Sequence, residues 1–214
     1  MADDVHHDDR DRIRRDRLLR ATHRVAGRGG RSALSHRSIT AAAGVPLATL
    51  RHLYSSLAEL EAEAIELRTD EQVRRIRSLA ADLAARGAAP AEVLDALAEI
   101  RVAGLADERL RLEVLADAAA PPMLRTAVEE SVAALAHAEA AALDAATGIR
   151  VGGLADALVA LEDGYALRHL GDATEPAGRR RARRTLLVGA LVEAGRTAEA
   201  LALAEAGRIP AGPA

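Results

Sequence analysis

Residues 35–54, Ser-His-Arg-Ser-Ile-Thr-Ala-Ala-Ala-Gly-Val-Pro-Leu-Ala-Thr-Leu-Arg-His-Leu-Tyr, constrain the conformation of this chain more than any other stretch. Ser35 is suited to cap a helix, helix 2, whose apolar side is Ile39 with Ala42 and Ala43. Gly44 ends that helix, because a residue without a Cβ enters the left-handed region freely. Val45 packs inward, and Pro46 opens helix 3, where its missing N–H leaves no bond unmade. Leu50 and Leu53 anchor helix 3 to a core, which leaves Leu47, Ala48, Thr49, Arg51 and His52 on its outer face. Two short helices pivoting on a glycine, with small residues between them, form a helix-turn-helix. That unit lays its second helix in the major groove of duplex DNA while the first braces across the backbone.

The remainder also reads as helix. Half of the 214 residues are hydrophobic, yet they are mostly Ala, Leu and Val, with no Phe, no Trp and two Tyr. Ala and Leu are strong helix formers, and strand formers are few, so the fold class is all-α. It consists of an N-terminal three-helix helix-turn-helix domain and a C-terminal helical bundle. Helix 1 is predicted at about 11–26, ended by Gly27-Arg-Gly-Gly30, with Ile13, Leu18, Leu19 and Val25 as its apolar stripe. The capping box Ser56-Leu-Ala-Glu59 starts a long helix 4 over about 57–85. Further helices are predicted near 91–103, 107–118, 122–146, 153–170, 179–194 and 197–206, divided by Gly and Pro. The domains follow: a disordered acidic arm at 1–9, the helix-turn-helix at 10–56, a helical body at 57–207 and a flexible tail at 208–214.

Charge is sorted along the chain. The net charge of −3 argues by itself against a nucleic-acid binder. Residues 10–53, however, hold eleven arginines against two aspartates, a surplus of nine positive charges. A basic head on an acidic body suggests a nucleic-acid module joined to something else. There is no cysteine, which excludes disulfide and thiol chemistry. No run approaches the ~20 apolar residues of a membrane span. The first residues also lack the basic start and apolar core of a signal peptide, so cytoplasmic residence is the expectation. Enzyme chemistry lacks its usual signatures: there is no Cys nucleophile, Gly-rich phosphate loop or His-x-x-x-His pair. His6-His7-Asp8-Asp9 has metal-ligand residue types but no further ligands, so neither metal nor cofactor is expected.

The segment from about residue 14 to 66 resembles the TetR family of transcriptional regulators. The resemblance lies in an amphipathic helix 1, Leu34-Ser35, Ile39, Ala43-Gly44-Val45, Thr49-Leu50, Tyr54, Ser56 and Leu60. It implies a homodimeric repressor that binds operator DNA, does not act as an enzyme, and is released by a small-molecule effector. Residues 57–207 then become the ligand-binding and dimerisation domain. The implied DNA contacts are Arg37, Pro46, Leu47, Ala48, Thr49, Arg51 and His52. Four positions depart from the family pattern: Thr40 stands for Ala, Pro46 for a polar cap, and Arg51 and Leu57 for a Tyr and a Lys that reach phosphate. The alternative is a helical dimer of the same fold that has lost specific DNA binding.

An effector site is expected among helices 4 to 8, with Glu113, Asp117, His137 and Tyr165 as polar candidates and Met123 as an apolar wall. With no Phe or Trp to stack on, an aliphatic effector suits such a site better than a planar cation. Leu154, Leu158 and Leu161 on helix 8, with Leu187 and Leu191 on helix 9, form apolar stripes that the resemblance assigns to a dimer interface. The run Arg179-Arg-Arg-Ala-Arg-Arg184 is expected to pair with acids such as Glu162 or Asp163 across that dimer.

Overall fold

The computed structural model describes residues 2–103, 105–148, 154–168, 176–193 and 195–206; the tail expected at 208–214 lies outside them. Every regular element among these residues is helical. The order is α1 (Ala2–Gly29), a 3-10 turn (Arg31–Ala33), α2 (His36–Ala43), α3 (Leu47–Leu53) and α4 (Leu57–Ala85). There follow α5 (Pro90–Ala103), α6 (Leu105–Ala116), α7 (Pro122–Thr147), α8 (Leu154–Arg168), α9 (Pro176–Glu193) and α10 (Thr197–Ala206). No described helix is long and apolar enough to cross a membrane.

Most of these bounds agree with the expected ones, and α1 differs most. It begins at Ala2 instead of near Asp11, so residues 2–9, expected as a disordered arm, belong to the helix. A helix-spaced ion pair, Asp9–Arg12 at 3.2 Å, joins the end of that stretch to the rest of the helix, as Asp11–Arg14 and Asp16–Arg20, both at 3.0 Å, do further along. The helix also runs through Gly27 to Gly29 and stops before Gly30, whose backbone turns to positive φ, at φ 74° and ψ 179°. Ile13, expected on the buried stripe, is exposed.

Two compact units divide the chain. The first is drawn from Met1–Glu71 and Gly104–Ser131, the second from Gln72–Ala103 and Val132–Ala214. In the first, Leu18, Ile39, Leu50, Leu60, Ile65, Leu110, Leu112 and Leu124 are completely or almost completely buried. Burying a side chain of this size contributes about 1.5–3 kcal/mol. α1 packs against α2, α3 and α6, so a helix from the expected effector body shares a core with the helix-turn-helix.

The second unit has an aliphatic core of Ile76, Leu83, Val93, Leu97, Leu135, Leu143, Leu158, Val159, Leu187, Leu191 and Leu203. This corrects the expected dimer interface. Leu158, Leu187 and Leu191 have no exposed surface within one chain and serve its own core. Leu161 is half-buried, and the side chain of Leu154 lies outside the described residues. Helical periodicity identifies an apolar face but not the surface it meets.

The basic run is corrected in the same way. Arg183 is completely buried and bonds Glu162 at 2.9 Å and Glu139 at 3.0 Å, tying α9 to α8 and α7 within one chain. Arg184 bonds Asp95 on α5 at 2.9 Å. These arginines are consumed inside the unit and not across a dimer.

Candidate nucleic-acid interface

The helix-turn-helix is assembled by local rules. The Ser35 hydroxyl accepts from the Ser38 backbone N–H at 3.0 Å, while Ser38 Oγ accepts from the Ser35 N–H, so the two serines form a reciprocal cap. α2 ends at Gly44, with φ 64° and ψ 36°, where its N–H donates to the Thr40 carbonyl. Thr40, in place of the family's Ala, is buried without strain because its hydroxyl donates to the His36 carbonyl at 2.8 Å. Ala42, expected on the inner side, faces outward, and its carbonyl accepts from Arg24 at 3.0 Å. Arg24 is therefore used to brace α1 on the C-terminal end of α2.

Pro46 is the N-cap of α3, one position before the first helical residue, with φ −59° and ψ 143°. Val45 and Leu50 are buried on either side of the exposed Pro46, Leu47 and Ala48. Arg51 and His52 are exposed one turn further on, Thr49 is half-buried, and Arg37 is exposed on α2. All seven expected contact residues thus lie at least partly open to solvent on the two helices of the motif.

Tyr54 locks the end of α3 to α1. Its ring is buried, its hydroxyl accepts from Arg15 Nε at 3.2 Å, and the Arg15 guanidinium lies 5.2 Å from the ring centroid. Burial pushes the Tyr54 hydroxyl well above its ordinary range, so it stays neutral. Arg15 continues to Glu63 on α4 at 3.1 Å.

The start of α4 departs in detail from a capping box. Ser56 Oγ accepts from the Glu59 N–H at 3.1 Å, as expected. The Glu59 carboxylate instead reaches Ser55, accepting from its N–H at 2.8 Å and its hydroxyl at 2.7 Å. The Ser55 bonds hold the Glu59 carboxyl below its ordinary value.

A clamp that the sequence did not reveal fixes the far end of α1. Arg31 bonds Glu61 on α4 at 2.8 Å and Asp117, after α6, at 3.0 Å, while its N–H donates to Glu113 on α6 at 2.5 Å. Arg109 bonds Glu113 at 2.7 Å. Two of the expected effector ligands, Glu113 and Asp117, are therefore committed to holding the head together. Met123 and His137 are exposed and Tyr165 is half-buried. Glu113, Asp117 and Met123 belong to the first unit, and His137 and Tyr165 to the second.

No protein-family model matches the sequence, and no curated protein matches it. Solved structures do resemble it. A transcriptional regulator from Rhodococcus sp. Rha1 superposes with a TM-score of 0.69 over 84% of this chain and 96% of its own. At 22% identity it bears on the fold alone. The multidrug binding protein EbrR, solved with imidazole, is 27% identical, with a TM-score of 0.58 over 81% of this chain and 94% of its own. A TetR-family member from Streptomyces coelicolor A3 is also 27% identical, with a TM-score of 0.60 over 81% of this chain and 97% of its own. Helix-turn-helix heads occur on many bodies, but here the head and the all-helical body after it follow that TetR-family member together along most of the chain. Over most of its length the chain is similar to the TetR family of transcriptional regulators.

Proposed function

We propose that this chain is a homodimeric repressor that binds operator DNA through α2 and α3 and is released by a small-molecule effector. The observation that carries the reading is the division of α3 into two faces. Leu50 is fully buried, while Leu47, Ala48, Arg51 and His52 are open on the side that a helix-turn-helix turns to the major groove. Arg51 serves a phosphate or a guanine, His52 a base edge, Thr49 a phosphate or base, and Arg37 a phosphate or base from α2. Residues 10–56 act as the DNA-binding part and 57–207 as the ligand-binding and dimerisation part.

With Leu158, Leu187 and Leu191 internal, the dimer face falls on the outer sides of α8 and α9. Ala157, Ala160 and Gly164 are exposed on α8, and Thr185, Gly189 and Val192 on α9, at helical spacing. A Cβ added at Gly164 or Gly189 would meet nothing within 4 Å, which leaves room for a second copy to approach closely. Pairing there would set two α3 helices about 34–36 Å apart, one turn of DNA.

EbrR is solved with imidazole and with malachite green, proflavin and ethidium. Likeness to it supports a small-molecule effector for this chain as well. The effector acts by preferring the conformer that does not fit the operator, which shifts the population away from DNA.

A gel shift on the intergenic DNA beside the chain's own gene tests the reading. The chain is expected to bind an inverted repeat, and Arg37→Ala with Arg51→Ala together to weaken binding about a thousandfold or more, at roughly 1 kcal/mol or more for each of the dimer's contacts. A folded dimer that binds no DNA at low salt would instead be the helical dimer that has lost its DNA contacts.

A further inference from the structure

We propose that the N-terminal end of α3 selects thymine, through the 5-methyl groups that face the major groove. The inference rests on α3 acting as the recognition helix. Pro46, Leu47 and Ala48 are consecutive and all exposed there, Leu47 at 39%. None of the three side chains carries a hydrogen-bond donor or acceptor. The core does not need them, because Val45 and Leu50 on either side are the buried residues. Residues at this end of the second helix meet base edges in a helix-turn-helix complex.

Every base pair presents hydrogen-bonding groups in the major groove, but only thymine adds an apolar one, its 5-methyl. Leucine set against guanine strips water from N7 and O6 and returns no hydrogen bond, which is unfavourable. Set against a thymine methyl, it removes apolar surface of both partners from water. Polar readout is left to Arg51 and His52 one turn along α3, and to Arg37 on α2. The favoured half-site therefore carries thymines beneath Leu47 and Ala48, beside the positions that the arginines reach.

The test uses the full-length chain and the duplex it binds best, selected from a random library. That duplex is resynthesised with deoxyuridine for thymine in both half-sites, which deletes only the methyl groups. Affinity is expected to fall about fourfold per contacted methyl, hence tenfold or more across the two half-sites. Leu47→Ala, at an exposed position whose change leaves folding nearly untouched, is expected to shrink that loss. A uracil duplex bound as tightly as the thymine duplex overturns the inference, as does an unchanged uracil penalty in Leu47→Ala. Both results leave DNA binding itself intact. If the folded chain selects no duplex and binds none at low salt, the regulator reading fails and this inference fails with it.

Discussion

Replacing Arg183 with alanine is expected to destabilise the second unit by about 3–5 kcal/mol, the usual cost of breaking a buried ion pair from one side. The guanidinium is sealed from solvent and holds Glu139 of α7 and Glu162 of α8, both equally buried. Its removal takes away a guanidinium that both core carboxylates bond. In a chain of this size the loss corresponds to a melting temperature lower by on the order of 10 °C, read from the helical circular dichroism signal. A shift of less than about 2 °C in Arg183→Ala would show that the three side chains are not sealed together as described.

Gly30→Ala is the second substitution with a large expected effect, at about 2–4 kcal/mol. Gly30 has φ 74° and ψ 179°, a backbone region essentially reserved for glycine, where alanine costs about 1–3 kcal/mol. The added Cβ would also lie 2.8 Å from Glu113 Oε1 and 3.0 Å from Oε2. Glu113 cannot swing aside freely, since the Arg31 N–H and Arg109 Nε both hold it. The two contributions separate in a double-mutant cycle. In a Glu113→Ala background, Gly30→Ala should cost only the conformational part. Equal costs in both backgrounds would mean that the contact with Glu113 carries no energy.

These two sites also mark the limit of what the sequence disclosed. The helix-turn-helix was legible because its rules are local: Ser35 caps, Gly44 stops, and Val45 and Leu50 turn inward within fifteen residues. The bounds of α4 were legible for the same reason, from Ser56 at one end and the Arg86-Gly87 break at the other. The clamp at Arg31 was not, because its partners Glu113 and Asp117 are 82 and 86 positions away. A lone arginine after a glycine run looks like any solvated charge. Arg183 does pair with Glu162, one of the acids expected for the run, but within its own chain, because no periodicity rule says that one of five arginines turns into the core. Leu158, Leu187 and Leu191 were placed on an apolar face correctly but given the wrong partner. The contact face of α3 is a different case: the sequence assigned Arg51 and His52 to its outer side, and the fold leaves them exposed there.

The salt dependence of DNA affinity tests the central claim most directly. It would be measured by fluorescence anisotropy on the intergenic duplex between 50 and 200 mM salt. A dimer presenting two basic heads should neutralise at least six phosphates, which weakens binding about a thousandfold over that range. An arginine that touches phosphate in each copy, such as Arg37 when changed to alanine, should lower the slope by about 2. Affinity that hardly changes with salt, or Arg37→Ala and Arg51→Ala variants that bind with the affinity and slope of the unsubstituted chain, would contradict the placement of α2 and α3 on DNA.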